Sequence, residues 1–281
     1  MLSAARAFRK SIKSAPVLPQ PDHFSSLWAD EIKMRQGQLV LVAGRSGSQK
    51  SGFALNLTHY MGLPTLYFAG DMAPFEATTR LVQMEAGHTE EEIEQWSDDP
   101  IEGAKYADIL AESNITFSFG QPITWSNTEA EIEAWVELHN EFPRIIVFDN
   151  LMDVEGCESE DNGSLRTAMQ NFDSLVRSTG STVIVIHHAT DKTERADLTP
   201  GKPPSRREIK GGVSEKPQLI LTVALDPETL EFRVACVKQR SGKCDPSGST
   251  YTRMQAYPDK TRFGPLHKST PHWNVYPQEQ R

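Results

Sequence analysis

Residues 44–51 read GRSGSQKS, and their types and spacing point to phosphate chemistry. A glycine-rich turn that opens a helix aims successive backbone N–H groups at one point. The helix N-terminus adds positive partial charge, so the arrangement suits an anion. The pattern G-x-x-x-x-G-K-[ST] adds a lysine for the β- and γ-phosphates and a hydroxyl for Mg2+. Here Gly44, Arg45, Ser46, Gly47, Ser48, Gln49, Lys50 and Ser51 fill the pattern, with Gln49 where the last glycine belongs. Lys50 is expected on the phosphates of ATP and Ser51 on Mg2+. A glutamine is costly there only if the backbone must take a positive φ or the ligand presses against it. The reading therefore expects helical backbone at Gln49, an outward side chain and retained nucleotide binding.

Two acids fit the same chemistry. Asp149 closes the apolar run RIIVFD, where a carboxylate can support Mg2+ through water, and Asp71 closes TLYFAGD. From a neighbouring strand end, Asp71 can polarise a water that attacks the γ-phosphate. The bland alternatives are a turn residue for Asp149 and a helix N-cap before Pro74 for Asp71.

These residues need a frame. The run GQLVLVAG leads straight into the loop, and SGFALNLTHYMG follows it as a helix ending at Gly62. Strand runs TLYFA, NITFSF, RIIVFD and STVIVIHH then alternate with helical patterns up to His188. Near-continuous Val/Ile/Leu strands separated by helices imply a mostly parallel sheet covered on both faces, an α/β fold. After a charged loop from Asp191 to Gly212 come PQLILTVALD, EFRVACVKQ and STYTRMQAY, which are expected to extend the sheet with antiparallel members. The acidic stretch from Glu85 to Ala111 reads as exposed helix, and the segment from Tyr257 as a Pro-rich, loosely ordered tail.

Bulk properties narrow the class. Hydrophobic content of 38% fits a globular core, and no apolar run is long enough to span a bilayer. Cys157, Cys236 and Cys244 form no C-x-x-C pair and no zinc spacing, which points to a reducing compartment. The net charge of −9 repels nucleic acid globally, so a DNA site must be a local basic surface. The first 21 residues carry Arg6, Arg9, Lys10 and Lys13 and no acid, a composition shared by presequences and by linker helices.

The order of these stretches resembles the RecA-like motor domain of DnaB-type hexameric replicative helicases, and more distantly RecA and plasmid RepA-type helicases. The resemblance spans roughly Phe24 to Met254. It rests on GQLVLVAGRSGSQKS, TLYFAGDMAPFEATTRLVQMEAG, IIVFDNLMDV, STVIVIHHA and VACVKQRSGKCDPSG. It implies a RecA-like P-loop NTPase fold. Asp71 takes the place of the family's general-base glutamate, and His188 that of a γ-phosphate-sensing glutamine. Lys238 and Arg240 match a K-x-R segment that reaches a neighbouring subunit's nucleotide. Asp71 is one methylene shorter than glutamate, and a neutral His188 can still donate one hydrogen bond. The adjacent histidines point to opposite faces of their strand, so they do not form a metal pair.

The resemblance implies an ATP-driven helicase: a homo-oligomer, hexameric ring in form, with ATP between subunits and single-stranded DNA at the centre. DNA would be held by loops at Glu155 to Gly163 and Asp191 to Gly212. The second carries Lys192, Arg195, Lys202, Arg206, Arg207 and Lys210, and it lacks aromatics for base stacking. Structureless loops above about 12–15 residues are usually functional or disordered. The implied partners are a primase or loader protein. The implied division is a basic linker at 1–23, a motor at 24–256 and a tail at 257–281. A small stand-alone motor of this kind resembles phage- or plasmid-encoded proteins, acting in the host cytoplasm. Two rivals keep the same core: a recombination or strand-annealing ATPase that forms filaments, and a weakly hydrolysing loader subunit.

Overall fold

The computed structural model describes residues 15–158, 162–190, 201–240 and 242–266. In chain order the elements are α1 (Ser25–Ala29), β1 (Leu39–Gly44), α2 (Lys50–Met61), β2 (Thr65–Ala69), α3 (Pro74–Ala86), α4 (Glu90–Trp96), α5 (Glu102–Ala111), β3 (Ile115–Phe119), α6 (Trp125–His139), β4 (Ile145–Asp149), α7 (Asn162–Thr179), β5 (Thr182–His188), β6 (Leu219–Leu225), β7 (Glu231–Gln239), β8 (Thr252–Tyr257) and β9 (Arg262–Pro265). Among the described residues the nine strands form one sheet in the order β3-β2-β4-β5-β1-β6-β7-β8-β9.

Burial explains the sheet. Every residue of β1, β2 and β4 is buried, as a parallel strand covered on both faces requires. Alternation then divides the core. Val40 and Val42 pack with Phe53, Leu55 and Leu57 of α2, while Leu39 and Leu41 face the other way, into a cluster with Trp135 of α6 and Phe172 of α7. The acidic helices α4 and α5 bury only Ile93 and Tyr106, which pack with Val82 of α3 in a small satellite cluster. A reciprocal cap holds the start of α4: Thr89 Oγ1 accepts from the Glu92 N–H and Glu92 Oε2 accepts from the Thr89 N–H.

Two expectations are corrected. The first of the C-terminal strands, β6, pairs parallel with β1, and only β7, β8 and β9 run antiparallel. The apolar run LILTVAL is buried on both faces beside β1 and so behaves as a central strand. The stretch from Tyr257 is ordered at its start, because Phe263 is buried and β9 pairs with β8. The described end of the linker stretch also packs on the motor: Leu18 is buried, its N–H donates to Met34 O at 2.9 Å, and Gln36 N donates to Pro16 O at 2.9 Å.

Candidate phosphate and metal site

The register brings the chemistry to one edge. Gly44 lies level with His188 of β5 and Val223 of β6, and Ala69 lies level with Asp149 of β4. The loop at 44–51, Asp149, Asp71 and His188 therefore all sit at or just past the C-terminal ends of parallel strands. This is the crevice where open α/β sheets bind ligands.

Within the loop, Gly47 has φ +71 and Gln49 φ +59, so two left-handed residues flank Ser48. Such turns direct main-chain N–H groups inward. Gly44 is required by contact, since a Cβ there would lie 2.3 Å from Ser48 Oγ. Gln49 corrects the expectation of helical backbone. It occupies the left-handed region at the N-cap of α2 and still accepts the first helical bond, from Phe53 N at 2.9 Å. Its Oε1 lies over Gly52, where a built Cβ would meet it at 3.2 Å. A non-glycine residue in this region costs about 1 kcal/mol. Gln49→Gly is therefore expected to keep or raise ATP affinity and to leave stability unchanged or up to about 1 kcal/mol higher. Calorimetric titration with Mg-ATP and a denaturant melt check both, and weaker binding in the variant contradicts the reading.

Asp149 is buried between two hydroxyl donors. Ser51 Oγ donates to Oδ1 at 2.9 Å, and the fully buried Tyr67 donates to Oδ2 at 2.7 Å. Burial raises its pKa to about 6, against the lowering by Tyr67, Ser51 and the charges of Arg80 and Lys50. One hydroxyl and one carboxylate beside a helix start suit Mg2+, which takes few protein ligands and completes its octahedron with phosphate and water. Ser51 and Asp149 would hold the ion, and Lys50, the first residue of α2, would meet the phosphates.

Asp71 is exposed and is not a helix cap, because Ala73 fills that position ahead of Pro74. Its charge acts on Asp153, which burial and then Asp71 hold above the usual carboxylate range, against bonds from Asn150 N and Gln121. His187 is buried with Nε2 3.2 Å from Lys210 O, whereas His188 is half-buried beside the loop.

The other expected residues fall elsewhere. Lys238 lies opposite Ile220, three register positions below Val223, about 10 Å down the strand from the phosphate-loop edge. Its ammonium donates to Ser214 O at 2.8 Å and Glu215 O at 2.7 Å. Burial, then the charges of Arg206 and Arg240, lower its pKa to about 8. Arg240 is exposed, and its backbone is fixed by the bond from its N–H to Gln218 O at 3.1 Å. Of the basic loop residues, Lys192 and Arg195 lie outside the described residues. Lys202 and Arg207 are exposed and Lys210 is half-buried, while Arg206 is turned toward Ser214. The described part of this loop is packed rather than free: Ile209 and Val213 are buried in the core on the α7 side.

One contributor escapes a motif search: Tyr67, although its signal was legible, since a hydroxyl in a strand buried on both faces needs a partner. Arg45 lies within the motif, but its guanidinium leaves the loop and pairs with Glu208, 163 residues away in sequence.

This sheet, with a strand–loop–helix turn at its central crevice, shares its fold with RecA-like ATPase domains of the DnaB type. Solved structures share the fold at low identity: an ATPase domain solved on its own (TM-score 0.74, 18% identity, 94% of this chain and 98% of that one) and a DnaB-like replicative helicase (TM-score 0.76, 17% identity, 94% of this chain and 66% of that one). A KaiC-like protein of Pyrococcus horikoshii is similar at a TM-score of 0.56 and 15% identity, over 89% of this chain and 99% of that one. The family model AAA_25, an AAA domain, matches residues 10–194, and the chain belongs to that family. It is also 32% identical over 246 residues to the Gene 65 protein of Mycobacterium phage L5, covering 84% of this chain and 89% of that protein. The Gene 65 protein of Mycobacterium phage D29 is 31% identical over 225 residues, covering 77% and 94%. Among the described residues no helix is long and apolar enough to cross a membrane.

Proposed function

We propose that the chain is the motor of an ATP-driven, DnaB-like DNA helicase or translocase that works as a closed ring on single-stranded DNA in replication. The observation that carries this reading is the division of the machinery. Phosphate and metal groups (Lys50, Ser51, Asp149) sit at one sheet edge, with Asp71 and His188 beside them. The exposed Arg240 sits toward the other edge, beyond the reach of its own chain's loop. A set divided in this way becomes complete when a second copy presents Arg240 to the first copy's nucleotide.

In the assembled site the loop amides and Lys50 orient the triphosphate. Bound Mg2+ would neutralise charge on the phosphate oxygens. Asp71 orients and deprotonates the attacking water, and Arg240 from the neighbour stabilises charge that develops in the transition state. His188 lies where it can register the γ-phosphate. Lys238, held by two carbonyls of its own chain, braces the strand that carries Arg240. Lys192, Arg195, Lys202, Arg206, Arg207 and Lys210 provide local positive charge for the DNA backbone.

The likeness to a DnaB-like helicase described with its primase supports a primase or loader as partner. Phage relatives support action in the cytoplasm of a bacterial host. Phosphate release measured with and without single-stranded DNA tests the reading, with several-fold stimulation expected. Nucleotide binding with no turnover in either condition would favour a loader subunit, and filaments in electron micrographs of the ATP–DNA complex a strand-annealing ATPase.

A further inference from the structure

Arg45 is the second residue of the phosphate loop, yet its side chain is committed elsewhere. Its Nη2 donates to Glu208 Oε1 at 2.5 Å and its Nη1 donates to Lys202 O at 3.0 Å. The Nε is sealed from solvent. Both side chains of the pair are about three-quarters covered, at 21% and 25% exposure, so the contact is less screened than a surface pair.

Glu208 is itself rigidly placed. Its Oε2 accepts from Ser205 N at 2.6 Å, and its carbonyl accepts from Thr190 N at 2.8 Å, just past β5. Burial raises its pKa, but the bonds from Ser205 and the Arg45 charge outweigh it and hold the carboxylate below its usual range. From this point the segment 201–218 descends the sheet. Ile209 and Val213 anchor it in the core, and a Cβ on Gly211 would collide with Leu165 of α7 at 2.1 Å. Arg206 N donates to Pro246 O at 2.9 Å, and the Lys238 ammonium meets Ser214 and Glu215 at the lower end.

We propose that the Arg45–Glu208 pair is the mechanical link through which nucleotide on the phosphate loop repositions residues 201–215, the basic segment and the support of the strand bearing Arg240. A displacement of the loop backbone at Arg45 is transmitted through a short charge-assisted contact to a carboxylate locked in a turn. That turn is wedged against α7 and so moves as a unit. The DNA part of this inference rests on the function proposed above. The link itself rests only on nucleotide binding at the loop.

Glu208→Gln tests it, because the amide oxygen can keep accepting from Ser205 while the amide nitrogen, a donor, replaces the oxygen that accepts from Arg45. Hydrogen exchange of segment 201–215 with and without Mg-ADP is the first readout. The wild-type protein is expected to change its protection there, and Glu208→Gln to lose at least about fivefold of that change while binding the nucleotide normally. Equal responses in wild type and Glu208→Gln overturn the link. Single-stranded DNA provides the second readout: DNA stimulation of turnover should fall by about fivefold or more in Glu208→Gln, with basal turnover unchanged. By linkage, the effect of nucleotide on DNA affinity should shrink by the same factor. Normal stimulation in that variant also overturns the link and leaves the helicase reading intact. A nucleotide-dependent exchange response that Glu208→Gln loses, in a protein that DNA neither binds nor stimulates, supports the link and removes the helicase reading.

Discussion

Arg240→Ala is expected to leave Mg-ATP binding unchanged and to cut DNA-stimulated turnover by about a factor of 10³, the lower end of what a trans-acting arginine contributes. The expectation follows from placement. Arg240 is exposed just past β7, on a backbone fixed by Gln218, and sits well below the strand ends that carry the phosphate loop. It therefore does nothing for binding within its own chain. Mixing variants separates a trans role from a folding defect. Lys50→Ala supplies Arg240 but has a crippled loop, and Arg240→Ala supplies an intact loop. Their mixed assemblies should hydrolyse ATP faster than either variant alone. Mixtures no better than the average of the two would remove the trans assignment. Lys238 should behave differently, because its two carbonyl contacts make it part of the frame.

The second large effect concerns Asp149, where function is expected to oppose stability. A buried carboxyl whose pKa rises from 3.8 to about 6 binds its proton more tightly in the folded chain than in the unfolded one. The sign follows: without Mg2+, folding stability falls as pH rises from about 4 to about 6 and is flat above that. At 1.36 kcal/mol per unit the full penalty is about 3 kcal/mol. Asp149→Asn removes the charge and keeps the shape. At pH 8 in chelator it should be more stable than the wild type by about 2 kcal/mol, and the gain should vanish near pH 4. The same variant should lose Mg2+-dependent nucleotide binding, because Ser51 would be left as the ion's protein ligand. Denaturant melts at the two pH values, with nucleotide titrations with and without Mg2+, read both halves. Parallel stability curves for the two proteins would show that Asp149 carries no such penalty.

The fold was legible because its parallel half is written locally. Unbroken apolar runs could only be strands covered on both faces, and Gly62 and Gly87 mark the helix ends where the chain indeed turns left-handed. The direction of β6 was not legible, since an apolar run is equally compatible with either pairing and its neighbour is decided by the whole sheet. At the candidate site, the meeting of Ser51 and Asp149 could be anticipated because a loop motif and a strand-end acid have fixed places relative to the sheet. Gln49 was misjudged in backbone geometry: its type favours a helix, but the loop's turn overrides that preference and forces a positive φ. The Arg45–Glu208 contact could not be read at all, for nothing local to either residue specifies a partner so distant in sequence.

The open sheet has two outer borders, and β9 shows how one is closed to growth. It is only four residues long and ends in Pro265, whose ring nitrogen carries no proton to offer an incoming strand. Crowded copies of the chain therefore gain little by stitching their sheets together along this border. Self-association is steered away from indefinite ribbon-like polymers and toward contacts made by side chains.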